Sequence, residues 1–213
     1  MERLPLPYDL FLIAHGEKGA PSIHVPTLGA GLAAAMLADL ALLGALAFEG
    51  HTLVLGAGRP GPAQLQDEAC MRLLAAVPQQ RMPIVQWLAV LSGDMLESTA
   101  RQLDTLGLIQ TTVRRRLIGT SIRYVPVGHG PLTVAMARVR LPVMGHEQPT
   151  PADLALCELV RLLRLEDALY LSDRPAEIRA RLADLTQATQ PAIAQIMKAL
   201  ESYIANQATA IYR

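Results

Sequence analysis

Over most of the chain, apolar positions recur with a helical period. The most apolar stretch is Leu28 to Phe48, LGAGLAAAMLADLALLGALAF, with no Pro, Lys or Arg and one acid, Asp39. As a helix it would be about 30 Å long, enough to cross a bilayer. A helix apolar nearly all round is either a membrane span or the central helix of a globular bundle. Gly29, Ala30, Gly31 and Ala33 to Ala35 make its first half small. Asp39 would sit near mid-bilayer at a cost of a few kcal/mol, and no cluster of Lys or Arg flanks either end. The pattern therefore predicts a buried central helix that loses its period near Gly44 to Phe48.

The remaining pattern distributes itself around this segment. Pro7 to Ala14 is a short apolar run that suits a helical turn or a strand, and Ser22 to Val25 suits a short strand. Leu46 to Phe48 and His51 to Leu55, around Glu49-Gly50, predict a β-hairpin. Helices are predicted over Ala63 to Ala76, Pro83 to Leu91 and Asp94 to Leu106, the last stopping at Gly107. Leu108 to Val113 and Ser121 to Val127 alternate like two strands. An irregular or helical piece follows through Leu141. Thr150-Pro151-Ala152-Asp153 is a helix start, with a Thr cap, Pro at the first position and an acid in the first turn. That helix runs to about Leu165, another spans Pro175 to Leu185, and the last begins near Pro191 with Ile193, Ile196, Met197, Leu200, Tyr203 and Ile204 on one face. The prediction is a mainly α fold over residues 1–213: one compact helical domain with a central buried hydrophobic helix and short β-hairpins, one of them projecting.

Composition sharpens this picture. Half of the 213 residues are apolar but only 4% are aromatic, which fits a helical core of Leu, Ala, Ile and Val. Nineteen basic residues balance nineteen acidic ones. Nucleic-acid-binding domains usually carry a basic excess, so nucleic acid is not the expected partner. Cys70 and Cys157 have neither paired nor metal-like spacing and read as buried thiols of a reducing compartment. MERLPLPYDLF shows no basic region followed by an apolar one, and a cytoplasmic protein is expected.

Motifs with chemistry are few. Gly56-Ala57-Gly58-Arg59-Pro60-Gly61 is formally G-x-G-x-x-G. Pro60 and Pro62 remove backbone donors a pyrophosphate would need, and no strand ending in an acid follows about 20 residues on. It reads as a plain loop. His15, His24, His51, His129 and His146 are scattered without metal-ligand spacing. Leu91-Ser92-Gly93-Asp94 lacks the glycine pattern of a nucleophile elbow. No catalytic residue, metal or cofactor is expected, and the chain reads as non-enzymatic.

The second hairpin invites two uses. The helix ending at Gly107 followed by a basic hairpin has the order of a winged-helix domain, with Arg114, Arg115, Arg116 and Arg123 toward phosphates. The same arginines beside Leu117 and Ile118 at the tip suit an anionic membrane surface, where each basic residue adds about 1 kcal/mol. Consecutive arginines on alternating pleats point to both faces, so a projecting hairpin keeps them solvated. A third use of the chain is as an accessory protein binding a small apolar ligand in its helical core.

Taken together, the chain resembles the Golgi phosphoprotein 3 family, as a bacterial-type member. The carrying pieces are Leu6 to Ile13; Gly31-Leu32 leading into Met36-Leu37-Ala38-Asp39-Leu40-Ala41-Leu42; Leu65-Gln66-Asp67-Glu68-Ala69; Trp87 through Leu91-Ser92-Gly93; and Leu106-Gly107-Leu108-Ile109 before the hairpin. The resemblance implies a central hydrophobic helix ringed by amphipathic ones, and a peripheral membrane or adaptor-like role. Eukaryotic members bind phosphatidylinositol 4-phosphate through a tryptophan and several arginines, and retain glycosyltransferases by their cytoplasmic tails. Counted from Gly31-Leu32, the tryptophan position falls at His24 and the first arginine at Ala33, while the segment before Gly107 offers only Arg101. The headgroup pocket is thus largely not retained. The expected contacts with an anionic headgroup or membrane are His24, Arg101, Arg114, Arg115, Arg116, Leu117 and Ile118. The expected partners are an anionic membrane lipid and, through the hairpin, a protein or a second copy of the chain.

Overall fold

The computed structural model describes residues 3–115, 120–171 and 173–211, with only the backbone at 114, 115, 120 and 208–211. Among the described residues there are nine α-helices and two separate two-stranded antiparallel sheets. The helices are α1 (Leu6–His15), α2 (Val25–Leu42), α3 (Pro62–Gln66), α4 (Glu68–Ala76), α5 (Ile84–Thr105), α6 (Gly130–Val143), α7 (Pro151–Leu162), α8 (Pro175–Thr186) and α9 (Pro191–Ile211). The strands are β1 (Leu46–Glu49) with β2 (Thr52–Leu55), and β3 (Ile109–Arg115) with β4 (Thr120–Pro126). The fold is mainly α, as predicted.

Proline punctuates the chain. Helices α1, α2, α3, α6, α7, α8 and α9 each have Pro at the first or second position. An N–H there has no intrahelical partner, so its loss costs nothing. This is how a chain with 15 prolines remains largely helical. Thr150 caps α7 as expected: its hydroxyl accepts from the Asp153 N–H at 3.3 Å, and Asp153 accepts in return from the Thr150 N–H at 3.0 Å.

Helix α2 is the axis of the domain. Residues 28–38 and Leu40 are buried, and α1, α5, α7, α9 and β1 pack around it. It is the described helix long and apolar enough to cross a membrane, and here its apolar surface is spent inside the protein. It starts earlier and stops earlier than Leu28 to Phe48, because Leu46 already pairs with Leu55 in the first hairpin. The small residues allow very close approach. A Cβ on Gly29 would lie 2.3 Å from the Ser92 carbonyl oxygen of α5, while one on Gly31 would meet only the tip of Leu163, at 2.5 Å.

Several local expectations are corrected. The run at Pro7 to Ala14 is helix α1, buried along its whole length. Ser22 to Val25 is not a strand but the bend that enters α2. The helix expected over Ala63 to Ala76 breaks at Asp67, whose carboxylate accepts from the N–H groups of Ala69 at 2.9 Å and Cys70 at 3.1 Å and so starts α4. Pro83 to Leu91 and Asp94 to Leu106 are one helix, α5, continuous through Ser92-Gly93. Packing of Leu88, Met95 and Leu103 on one face outweighs the low helix propensity of a single glycine.

The close approach of α2 and α5 makes a paired test. Gly29→Ala pushes a methyl into α5 backbone, which cannot retreat without moving the helix. Gly31→Ala displaces only a leucine tip. Gly29→Ala is expected to cost about 2–3 kcal/mol in chemical denaturation, as overpacking does, and Gly31→Ala clearly less. Equal costs would contradict the packing described.

Candidate functional site

The second hairpin is built on α1 and α5. Gly107, at φ 68°, turns the chain out of α5 into β3. The β3–β4 register pairs Ile109 with Pro126, Thr111 with Tyr124, Val113 with Ile122 and Arg115 with Thr120. Because side chains alternate along a strand, those pairs share one face. At the root of that face Ile109 and Tyr124 are buried. Tyr124 meets Phe11 edge-on at 5.4 Å and His15 edge-on at 5.3 Å, while Phe11 and His15 stack at 4.0 Å. The Tyr124 N–H donates to the Gly19 carbonyl at 2.7 Å. Helix α1, the turn after it and the hairpin root are thereby one packed unit.

Farther along the same face the body ends but the apolar pattern does not. Val113 is 62% exposed and its cross-strand neighbour Ile122 is 48% exposed. The other face carries Thr112 opposite Arg123 and Arg114 opposite Ser121. The backbone of Arg114 and Arg115 continues β3, and Arg116, Leu117 and Ile118 lie outside the described residues. Val113 and Ile122 were missed as site residues by sequence reasoning. The signal for them was the period-2 alternation continuing past the buried positions, two residues from Tyr124 in β4 and four from Ile109 in β3.

The other sequence-expected contacts are not drawn into one site. His24 is exposed at the start of α2 and makes no capping bond. Arg101 lies on the exposed side of α5, 3.9 Å from the Glu68 carboxylate. No hydrogen bond or ion pair joins the two among the described residues. Ala33 is fully buried in α2. The exposed side of α5 presents Asp94, Glu97 and Asp104 beside Arg101, a poor surface for a DNA backbone. That counts against a winged-helix reading of α5 and its hairpin.

Other motifs are absorbed by the fold. The N–H groups of Gly56 and Gly58 donate to the carbonyls of Ala45 at 2.9 Å and Gly44 at 2.8 Å, so the glycine-rich loop is stitched to the chain after α2. Those donors are not free for a phosphate. Ser92 is a helical residue whose hydroxyl bonds the Ala89 carbonyl and lies 3.2 Å from the Tyr203 hydroxyl. Burial pushes the thiols of Cys70 and Cys157 up to about 12, which makes them poor nucleophiles. Among the described residues no three His, Cys, Asp or Glu side chains group as a metal site.

A helical scaffold wrapped around one apolar helix and presenting a two-stranded hairpin is the class of protein this geometry defines. The family model for Golgi phosphoprotein 3 (GPP34) matches residues 6–202, and the chain belongs to that family. Membership fits a Golgi phosphoprotein 3-like adaptor or lipid-binding role. No curated protein matches the chain.

The hairpin root contains a titrating group. His15 donates from Nδ1 to the Phe11 carbonyl at 2.8 Å, and its Nε2 is buried without a partner among the described residues. Burial holds its pKa down at about 4, partly offset by the Phe11 bond. Below the ordinary histidine value the unfolded chain takes up a proton first, so this group's contribution to stability falls as pH drops from about 6.5 to 4. Asp9 works oppositely. Burial outweighs Arg138 and raises its carboxyl to about 6, so stability from this group rises as pH falls from about 6 to 4. His15→Phe removes the first slope and leaves the second. Relative to the parent, the variant is expected to gain about 2–3 kcal/mol at pH 4.5 over its difference at pH 7.5. An unchanged pH profile of the denaturation midpoint would show that His15 is not held neutral.

Proposed function

We propose that this protein is a non-enzymatic peripheral membrane adaptor on the cytoplasmic side of a membrane, docking through the β3–β4 hairpin. The observation that supports the reading is the apolar face that leaves the body at Thr111 and Tyr124 and continues outward as Val113 and Ile122. Immediately beyond it the sequence runs Arg114-Arg115-Arg116-Leu117-Ile118. Exposed apolar side chains next to cations are suited to an anionic lipid interface, the apolar pair entering the headgroup region and the arginines meeting phosphates. Arg123, on the opposite face, adds to the same charge.

The reading also holds that selective recognition of phosphatidylinositol 4-phosphate is weak or lost. A phosphomonoester needs several fixed donors. Its expected positions here are His24, exposed and without a side-chain partner among the described residues; Ala33, without a donor and fully buried; and Arg101, facing Glu68.

Vesicle co-sedimentation tests both parts. The full chain is expected to bind vesicles containing phosphatidylserine, to bind neutral ones poorly, and to prefer phosphatidylinositol 4-phosphate no more than its charge warrants. Replacing Arg114, Arg115 and Arg116 together by Ser removes roughly 3 kcal/mol, about a hundredfold in partitioning. Binding should also weaken steeply with salt, since screening acts within about 8 Å at physiological ionic strength. Val113→Ser with Ile122→Ser should weaken binding with little change in salt dependence. If these variants leave vesicle binding intact but lower the sedimentation mass, the hairpin joins two copies of the chain instead. If neither readout moves, the hairpin is not a contact surface.

A further inference from the structure

Helices α4 and α5 lie side by side and run antiparallel. The Gln102 amide of α5 donates to the Gln66 carbonyl just before α4 at 3.1 Å, Glu68 stands 3.9 Å from Arg101, and Arg72 and Asp94 line the next stretch between the two helices. Read in one direction, α4 therefore presents an acid and then a base, and α5 a base and then an acid. Arg72 and Asp94 are exposed, and neither forms an ion pair among the described residues. Between the helices is an apolar groove of about 210 Å³, lined by Leu73, Ala76, Leu91 and Met95. Beside it on α5 stands Val90, 63% exposed. A Cβ on Gly93, also exposed, would meet nothing within 4 Å, so the α5 backbone is open at that point. One face thus carries an apolar groove, an apolar knob next to it, and two levels of opposite charge in reversed order.

We infer that this face joins two copies of the chain about a twofold axis that runs along the groove, in the plane of the contact. Rotation about that axis lays α4 of each copy over α5 of the other and keeps every residue at its own level along the helices. Arg72 then meets the Asp94 of the second copy, and Glu68 meets its Arg101. By symmetry each pair forms twice, as an isologous contact requires. Val90 of each copy enters the other's groove over Ala76, and Gly93 leaves room for the approach. The charge order selects this occupant. A partner helix of one charge sign would leave like charges together at one of the two levels on each helix, whereas a second copy satisfies both. Removal of the groove and of Val90 from water supplies the affinity, and the charges fix the register. The face shares no residue with the hairpin, so this inference and the membrane reading stand or fall separately.

Sedimentation equilibrium of the full chain at low ionic strength tests this, with circular dichroism as the control for folding. At high micromolar concentration the parent is expected at the mass of two chains. Arg72→Asp and Asp94→Arg, made singly, each set like charges against each other twice and should weaken the dimer at least about tenfold. Mixing the two single variants should restore it, because one brings two acids to that level and the other two bases. The double variant, Arg72→Asp with Asp94→Arg, exchanges the charges and should dimerise by itself. Val90→Asp should dissociate the dimer as well, since it brings an unpaired carboxylate into the second copy's apolar groove. If that variant does not fold, the charge variants, both at exposed positions, still decide. The Val113 and Ile122 variants of the hairpin should leave the mass unchanged. The inference is overturned if the parent sediments as one chain, if the single charge variants dimerise as tightly as the parent, or if their mixture stays at the mass of one chain.

Discussion

A helix with no polar side cannot stand at a surface, and that constraint organises this protein. Helix α2 exposes apolar atoms in every direction, so α1, α5, α7 and α9 have to close around it. Helices α5, α7 and α9 each turn an apolar stripe toward it while α1 is itself enclosed, and the small residues in the first half of α2 let the backbones approach. The close approach also narrows what α2 can contain. At Gly29 even a methyl group meets α5 backbone. Asp39 is the exception that the wrapping must accommodate. Its carboxylate accepts from the Gln64 amide and from the Leu6 N–H, and burial raises its pKa. The one acid of the central helix therefore ties down α3 and the start of α1.

The buried polar groups follow the same logic on α1, which is enclosed along its whole length. Tyr8 donates to Asp67 at 3.3 Å, the residue that starts α4. Asp9 meets Arg138 of α6, whose Nε donates to Asp153 of α7 at 2.7 Å. Asp153 closes the capping box with Thr150 at the same time. The Arg138 side chain is 8% exposed and that of Asp9 1%. Removing one member of such a buried set costs about 3–5 kcal/mol, mostly because an unpaired charge remains. An apolar packing of equal volume would serve stability as well. What the ions add is register, since α1, α6 and α7 can satisfy one guanidinium in only one mutual arrangement.

The sequence made the existence of most elements legible and their joints much less so. The apolar run at Leu28, the Thr150-Pro151 cap and the Ile193 to Leu200 stripe are local signals, and each marks an element that formed. Ser92-Gly93 looked like a break because propensity is local, whereas the packing of α5 on α2 is not. Asp67 looked like an ordinary helical residue because its role as a cap depends on where α3 stops. At the candidate site the alternation of β3 and β4 was readable, but its consequence was not. Whether Val113 and Ile122 are core or surface depends on where the body ends, and that is set by Tyr124 against Phe11 and His15.

The same structure shows which of its parts can vary without disturbing the fold. Headgroup recognition by fixed donors requires side chains at specific points on a rigid frame. At Ala33 that frame is closed: the position is inside α2 and faces the core, so a long cation there would have to displace a wrapping helix or carry its charge out by a path the packing does not leave open. A hairpin carries no such demand. Its root is fixed by three rings and one backbone hydrogen bond, and past Thr111 and Tyr124 the described side chains of Val113 and Ile122 are exposed. Residues there can exchange polar for apolar, or neutral for basic, without repacking the helices. The chemistry of the hairpin beyond its root, where Val113 and Ile122 are already exposed, is consequently free to vary while α2 and its wrapping stay constant.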